Sequence, residues 1–271
     1  MSLLTATELT KDYTVRSPFG RKSSFRAVEK TSFALEAGET LAIVGESGSG
    51  KSTTAKMIAK LEEPTGGTIE FDGADATRVR GAALARYRGS VQVVFQDPFS
   101  SLNPKHTVER ILTAPLRYQG ITVPRGFARE LMEQVGLNPD HVYRYPAQFS
   151  GGQAQRIGIA RALAVKPKLV ICDEAVSALD VTVQAQVIDL LRRLRSELGL
   201  AYIFIAHDLA VVRGIADRVA VMNKGIIVEQ GRCQDVFDEP KDPYTRALLA
   251  AIPRIDPEWD RRRRENLKEP A

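Results

Sequence analysis

Apolar positions fall into two textures along the chain. Leu41-Ala42-Ile43-Val44 is a short unbroken apolar run that leads into a cluster of glycines, and the segment after Lys51, residues 52–61, reads as a helix closed by Pro64 and Gly66-Gly67. That is strand, loop, helix. Residues 68–71 and 91–95 predict strands, with Asp72-Gly73 as a turn signal beside the first. From Asp97 to about Val165 the texture changes: 107–116 and 125–135 carry helical spacing, separated by joints that contain proline or glycine. This predicts a helical insertion. Strand texture returns at 168–172 and 201–206, with a helix over 183–198 between them. Two such strand–helix units imply parallel strands covered by helices. Residues 218–222 and 225–229 predict a hairpin across Asn223-Lys224, and the tail after Ile252, with its prolines and Arg261 to Arg264, predicts weak order.

Composition changes this picture little. With 271 residues, 44% of them hydrophobic and 26% charged, the chain can bury a core as one large domain, with or without a sizeable insertion. No stretch approaches the roughly 18 apolar residues that span a bilayer. The start, Met-Ser-Leu-Leu-Thr-Ala-Thr-Glu, has neither the basic head nor the apolar stretch of an export signal, so a cytoplasmic chain is expected. Cys172 and Cys233 are too few for a metal or iron–sulfur ligand set, and Cys172 lies in an apolar run that predicts a buried free thiol. The net charge of +5 suits nucleic acid, anionic lipid or nucleotide phosphates without choosing among them.

Candidate chemistry narrows the choice. The pattern Gly45-x4-Gly50-Lys51-Ser52 sits in the strand–loop–helix setting that a phosphate-binding loop needs. Its glycines let backbone N–H groups turn inward around phosphate oxygens, and the following helix adds its positive end. Lys51 can reach the β- and γ-phosphates, and the Ser52 hydroxyl can ligate Mg²⁺. This motif alone leaves a GTPase, a kinase or an ATPase open. A second signal is Leu169-Val170-Ile171-Cys172-Asp173-Glu174, an apolar strand ending in two carboxylates. Asp173 is placed to hold Mg²⁺ and Glu174 to act as general base on water. A third is Phe149-Ser150-Gly151-Gly152-Gln153 ahead of the helical run 154–165, a second anion-binding helix start whose bland reading is a serine N-cap with flexible glycines.

In this order the motifs resemble the nucleotide-binding subunits of ABC transporters: Walker A at 45–52, Gln96 after a strand, the signature Ser150 to Gln153, and Walker B at 169–174. Ser177-Ala178-Leu179-Asp180 follows, then His207 after a strand. The resemblance covers nearly the whole chain. It implies an α/β fold, a RecA-like P-loop NTPase core with an antiparallel β subdomain and an inserted α-helical subdomain. The divisions would be 1–96 and 166–235 for the core, 97–165 for the helical part and 236–271 for a C-terminal extension. ATP would be held by Gly45, Ser47, Gly48, Gly50, Lys51, Ser52 and Thr53, with Tyr13 stacking on adenine and Phe19 or Phe25 as alternatives. Mg²⁺ would be held by Ser52, Gln96 and Asp173. Gln96 would also sense the γ-phosphate, and His207 would assist Glu174 and Lys51 in catalysis. Ser150, Gly151, Gly152 and Gln153 would meet the ATP of a partner subunit, which Asp180 would face.

The segment Phe95-Gln96-Asp97-Pro98-Phe99-Ser100-Ser101-Leu102-Asn103-Pro104 and the run Asp242-Pro243-Tyr244-Thr245-Arg246-Ala247-Leu248-Leu249 are similar to oligopeptide and dipeptide importers. The stretch 173–186 points to the F-type of their two ATPase subunits. With Cys233 alone, the C-terminal cysteine cluster of some relatives is not expected. Ala154 stands where a basic residue is common. The resemblance implies ATP-driven uptake of peptides or a similar small solute. The partners would be a paralogous ATPase subunit in a heterodimer, two membrane permeases and, indirectly, an extracytoplasmic binding protein, with no nucleic acid. The location would be peripheral, on the cytoplasmic face of the inner membrane. A soluble ABC ATPase of translation or DNA repair is the alternative; such proteins generally add a second cassette, a long coiled coil or a zinc module, and the motifs read here lead us to expect one cassette without those additions. A binding module without turnover sits poorly with Glu174 and His207.

Overall fold

The structure, a computed structural model, describes residues 2–16 and 22–251. The alternative aromatic Phe19 and the arginine run 261–264 lie outside the described residues.

The chain opens with two long strands, β1 (Ser2–Arg16) and β2 (Lys22–Glu36), paired antiparallel. Then come β3 (Thr40–Val44), helix α1 (Lys51–Ile58), β4 (Gly66–Phe71) and the short β5 (Ala74–Asp75). Helix α2 (Gly81–Ser90) leads into β6 (Val91–Val94). Four helices follow: α3 (Pro98–Ser101), α4 (Val108–Tyr118), α5 (Phe127–Gln134) and α6 (Gly151–Leu163). The chain then runs through β7 (Leu169–Asp173), α7 (Val181–Leu198), β8 (Ala201–Ala206), α8 (Leu209–Ile215), β9 (Arg218–Asn223) and β10 (Ile226–Arg232). Helices α9 (Cys233–Asp238) and α10 (Pro243–Ala250) close the described part.

Two sheets result. One has the order β2-β1-β4-β5 and is antiparallel; the other has the order β10-β9-β3-β8-β7-β6, parallel throughout except where β10 returns along β9. The parallel strands are apolar at successive positions because both of their faces are covered. Alternation sorts the two faces. Leu41, Ile43, Leu169, Ile171, Ile203 and Ile205 join the core shared with α1, β1 and β4. Ala42, Val44, Val170, Cys172, Tyr202 and Phe204 join the core shared with α4, α6 and α7. The phosphate-loop helix is therefore sandwiched between the sheets, and the helical segment between β6 and β7 packs on the opposite face.

This is the expected architecture, with differences at its joints. The expected helix over 52–61 ends at Ile58, because Lys60 takes the left-handed conformation at φ +54°. Gly66 and Gly67 open β4 instead of closing that helix, and at Gly67 (φ +82°) a Cβ would lie 2.4 Å from the Glu8 carbonyl oxygen, so β1 can come this near only to glycine. The hairpin turn is Lys224-Gly225, one position later than expected, with Asn223 paired to Ile226. Both turn residues have positive φ, +46° and +86°, which matches the twist of the flanking strands. Cys172 is a buried free thiol as expected, its pKa pushed up to about 12 by burial first and Asp173 second. No helix among the described residues is long and apolar enough to cross a membrane.

Candidate nucleotide site

The loop after β3 is squeezed from two sides. A Cβ on Gly45 (φ +148°) would lie 2.1 Å from the Met222 carbonyl oxygen at the end of β9. A Cβ on Gly50 (φ +105°) would lie 2.6 Å from the Ala27 carbonyl oxygen of β2. Both positions need glycine for space as well as for conformation. The Ser49 carbonyl accepts a hydrogen bond from Gly225 N–H at 2.9 Å, so the β9–β10 turn also steadies the loop.

Lys51 is the first residue of α1 and is 4% exposed. Its Nζ donates to the Gly45 carbonyl at 2.8 Å and the Glu46 carbonyl at 2.7 Å. Burial lowers its pKa, against the opposing pull of Glu174, Asp173 and Glu46. The Ser52 hydroxyl donates to Asp173 Oδ1 at 2.9 Å, which brings the last residue of β7 to the start of α1. Burial raises the Asp173 pKa more than the Ser52 bond lowers it. Glu174 follows in the left-handed conformation, φ +49°, with its N–H bonded to the Ile205 carbonyl at 3.0 Å. A non-glycine residue there is uncommon and turns the carboxylate at the strand mouth.

A cavity of about 260 Å³ lies over this loop. Tyr13, Ser47, Gly48, Gly50, Lys51, Ser52, Thr53 and Glu174 line it, together with Phe25. Tyr13 and Phe25 are cross-strand partners on β1 and β2. The Tyr13 hydroxyl donates to Glu62 Oε2 at 2.5 Å and its ring lies 5.1 Å from Lys11 Nζ, whereas Phe25 is 58% exposed. Of the two aromatics, Tyr13 is the one held in place.

The other expected residues stand apart from this cavity. His207 Nδ1 is 3.8 Å from Glu174 Oε2, beyond hydrogen-bonding distance, and the two share a smaller neighbouring cavity of about 100 Å³. Gln96 is exposed just past β6, and no hydrogen bond given for the described residues joins it to Ser52 or Asp173. Ser150 and Gln153 form a reciprocal capping box on α6: Gln153 N–H donates to Ser150 Oγ at 3.4 Å and Ser150 N–H donates to Gln153 Oε1 at 3.0 Å. Asp180 caps α7, accepting from Val183 N–H at 3.0 Å. A Cβ on Gly152 would fall 2.3 Å from Val183 Cγ1, so that glycine lets α6 and α7 begin side by side. Gln155 was not among the expected residues. It is almost fully buried, and its amide donates to the Phe95 carbonyl at 3.3 Å, linking α6 to the loop that carries Gln96. A polar side chain on the apolar stripe of a helix is the signal that marks it.

Known proteins resemble this chain in sequence and in fold. Residues 28–177 match the family model described as ABC transporter, and residues 228–271 match the one described as oligopeptide/dipeptide transporter, C-terminal region. The chain is 51% identical over 244 residues to the glutathione import ATP-binding protein GsiA of Pectobacterium atrosepticum, covering 89% of this chain and 39% of that protein. It therefore spans well under half the length of that relative. It is 49% identical over 261 residues to the probable peptide ABC transporter ATP-binding protein y4tS of Sinorhizobium fredii, covering 94% of this chain and 74% of that one. Among solved structures, the ATP-binding cassette MJ0796, in a dimeric post-hydrolysis state bound to ADP and Pi, superposes with a TM-score of 0.75 at 28% identity, over 85% of this chain and 98% of that one. CbiO1 of Clostridium perfringens, part of the ABC transporter complex cbiONQ, does so with a TM-score of 0.75 at 27% identity, over 94% and 97%. The expected F-type assignment is not supported; the matches stand at an ABC transporter ATP-binding domain followed by an oligopeptide/dipeptide transporter C-terminal region. The chain belongs to the ABC transporter family, with a C-terminal region of the oligopeptide/dipeptide transporter type.

Proposed function

We propose that the chain is the ATP-hydrolysing subunit of an importer for peptides or a related small solute such as glutathione. The observation that carries the reading is the convergence of Lys51, Ser52, Asp173 and Glu174 on one loop mouth, with Tyr13 on the same cavity. The loop N–H groups and Lys51 bind and orient the triphosphate, and Tyr13 supports the base. Ser52 and Asp173 supply two hard oxygen ligands that suit Mg²⁺, a number this ion commonly takes from protein beside phosphates and water. When bound, Mg²⁺ neutralises charge on the β- and γ-phosphate oxygens. Gln96 adds to that sphere, Glu174 takes a proton from the attacking water, and His207 orients the reactants. Catalysis on this reading is positioning plus electrostatics.

Ser150, Gly151, Gly152, Gln153 and Asp180 do not line the chain's own cavity. In the proposed assembly they serve the cavity of a paralogous subunit in a head-to-tail pair. Two permeases receive the motion through the helical segment 97–165, packed against the core halves 1–96 and 166–235, and an extracytoplasmic binding protein delivers the solute. Such a subunit sits peripherally on the cytoplasmic face of the membrane, with residues 236–271 as the class-specific extension. The support for import of peptides or glutathione is the matched C-terminal region and the names of the relatives.

The test is ATP turnover of wild type and Glu174→Gln in the assembled transporter. Wild type should hydrolyse ATP and the variant should bind ATP yet lose about 100-fold or more in rate, the contribution expected of a general base. Equal rates in the two would remove the enzymatic reading.

A further inference from the structure

The C-terminal helix meets the phosphate loop through one side chain. The Tyr244 hydroxyl, on α10, accepts a hydrogen bond from the Glu46 backbone N–H at 3.1 Å, across 198 positions of sequence. The same peptide group presents its other end to the site, since the Gly45 carbonyl accepts from Lys51 Nζ at 2.8 Å. One planar peptide unit, Gly45–Glu46, is thus held between Tyr244 on its outer side and Lys51 on its inner side. Such a clamp has a reason. Gly45 places little steric limit on its own rotation, so nothing in that residue prevents the peptide from turning its carbonyl away from Lys51. The Tyr244 bond opposes that rotation. It does not compete with a ligand, because Glu46 lies outside the cavity lining, which takes up the loop at Ser47.

Tyr244 is itself well seated. Asp242 caps α10 and accepts from Tyr244 N–H at 2.8 Å. Glu229 on β10 accepts from Lys241 N–H at 2.9 Å and from Asp242 N–H at 3.1 Å. Burial alone would raise the Glu229 pKa, but the bonds from the Lys241 and Asp242 N–H groups and the nearby Lys241 charge bring it below the usual carboxylate value. The carboxylate is therefore ionised at neutral pH and grips the start of the helix. The Tyr244 ring, with Leu248 and Leu249, packs partly buried against the helical-side core. The hydroxyl is presented to the loop from a fixed base, and not on a swinging side chain.

We propose that Tyr244 is a positioning residue for the nucleotide site: by holding the Gly45–Glu46 peptide it keeps Lys51 in register, and it makes the C-terminal helix part of the phosphate-binding apparatus. This rests on the reading of the Gly45 to Ser52 loop as an ATP site. The role is indirect, since Tyr244 touches neither cavity nor ligand.

The experiment compares wild type, Tyr244→Phe and Lys51→Ala as full chains, by MgATP binding, and as assembled transporters, by steady-state hydrolysis. Tyr244→Phe keeps the ring and removes only the oxygen. It should weaken MgATP binding and raise KM by about three- to ten-fold, the range one hydrogen bond supplies, with kcat within about two-fold of wild type. A residue that only stabilised the fold would instead lower the fraction of active sites and leave KM unchanged, and that result would overturn the proposal. Glu229→Gln, which loosens the seat of α10 and spares Tyr244, should raise KM in the same direction by a smaller factor. If wild type binds MgATP and Lys51→Ala does not, but Tyr244→Phe matches wild type, only the positioning role is lost. If wild type shows no binding that depends on Lys51, the nucleotide-site reading falls and takes the proposal with it.

Discussion

Ser52 and Asp173, 121 positions apart in sequence, are joined by a hydrogen bond of 2.9 Å from hydroxyl to carboxylate. One stands at the start of the helix after β3 and the other at the end of β7, two strands across in the sheet order β3-β8-β7. The parallel sheet is what makes them neighbours, because the carboxyl ends of its strands all open on the same side. Loops and helix starts at that side gather ligand-binding groups as a matter of geometry.

Burial makes that carboxylate costly to ionise, and on the proposed reading a bound metal would offset the cost. Burial raises the Asp173 pKa above 3.8, so the folded chain holds this proton to higher pH than the unfolded chain does. The associated stability is complete below the unfolded value and is lost as pH rises through the folded one. At pH 7, without nucleotide, the ionised group is a net burden. Asp173→Asn keeps an acceptor for Ser52 and removes the charge. Without ligand it is expected to melt at or above the wild-type temperature at pH 7, with the difference shrinking towards pH 4. Its ATP turnover should fall about 100-fold or more, in line with the several kcal/mol that a bound metal supplies. Melting curves at pH 4 and 7 check the first expectation. A variant several degrees less stable at both would show that the ionised form is structurally needed.

Gly152 and Val183 give a second expectation. The motif glycine has a reason inside the single chain, because a Cβ there would fall 2.3 Å from Val183 Cγ1. Valine is stiff at χ1 and cannot simply swing away. Gly152→Ala should therefore cost about 1–3 kcal/mol in urea unfolding, the usual range for overpacking. Val183→Ala in the same chain should return part of that, with a coupling of about 0.5 kcal/mol or more. Strictly additive losses would mean that the two helix starts can part without penalty.

These pairs show where the sequence is legible and where it is not. The phosphate loop and the paired carboxylates were readable because each packs its chemistry into a few contiguous residues on a strand end. The strands β3, β7 and β8 were readable because burial on both faces leaves an unbroken apolar run. The long strands β1 and β2 carry no such signal, and their burial pattern explains why. Buried Leu4 and Ala6 alternate, then Leu9 is out of phase; Val28 is followed by Thr31, Phe33 and Leu35. The phase slips where Glu8 and Lys30 adopt positive φ (+49° and +43°), at irregularities of register between the two strands. Helix α2 is silent in the sequence for a different reason, since Tyr87 is its only buried residue and no stripe marks it. The Tyr244–Glu46 bond has no local signature at all. Such a contact exists only once the sheet has brought β10 and α10 alongside the loop.

Lys60 supplies the last expectation, in a part of the fold remote from catalysis. It is 9% exposed, donates to the Thr77 carbonyl at 3.1 Å and lies 5.6 Å from the centre of the Tyr87 ring. Burial lowers its pKa from 10.5 to about 8, with Asp75 and Glu63 pulling the other way. The unfolded chain thus holds this proton to higher pH than the folded one. Stability should rise with pH between about 8 and 10.5, and the full cost of the buried charge applies below that window. A shift of this size corresponds to about 3 kcal/mol, against which the carbonyl bond and the ring contact return about 1–2 kcal/mol. Lys60→Met keeps the aliphatic stem and, like lysine, must accept the φ of +54°, so backbone strain cancels in the comparison. The variant is expected to be more stable than wild type at pH 7 by on the order of 1 kcal/mol, and the advantage should narrow as the pH is raised to 10. Urea unfolding of both proteins at pH 7, 8.5 and 10 measures this directly. A variant less stable than wild type at pH 7 would show that the carbonyl bond and the ring outweigh the buried charge.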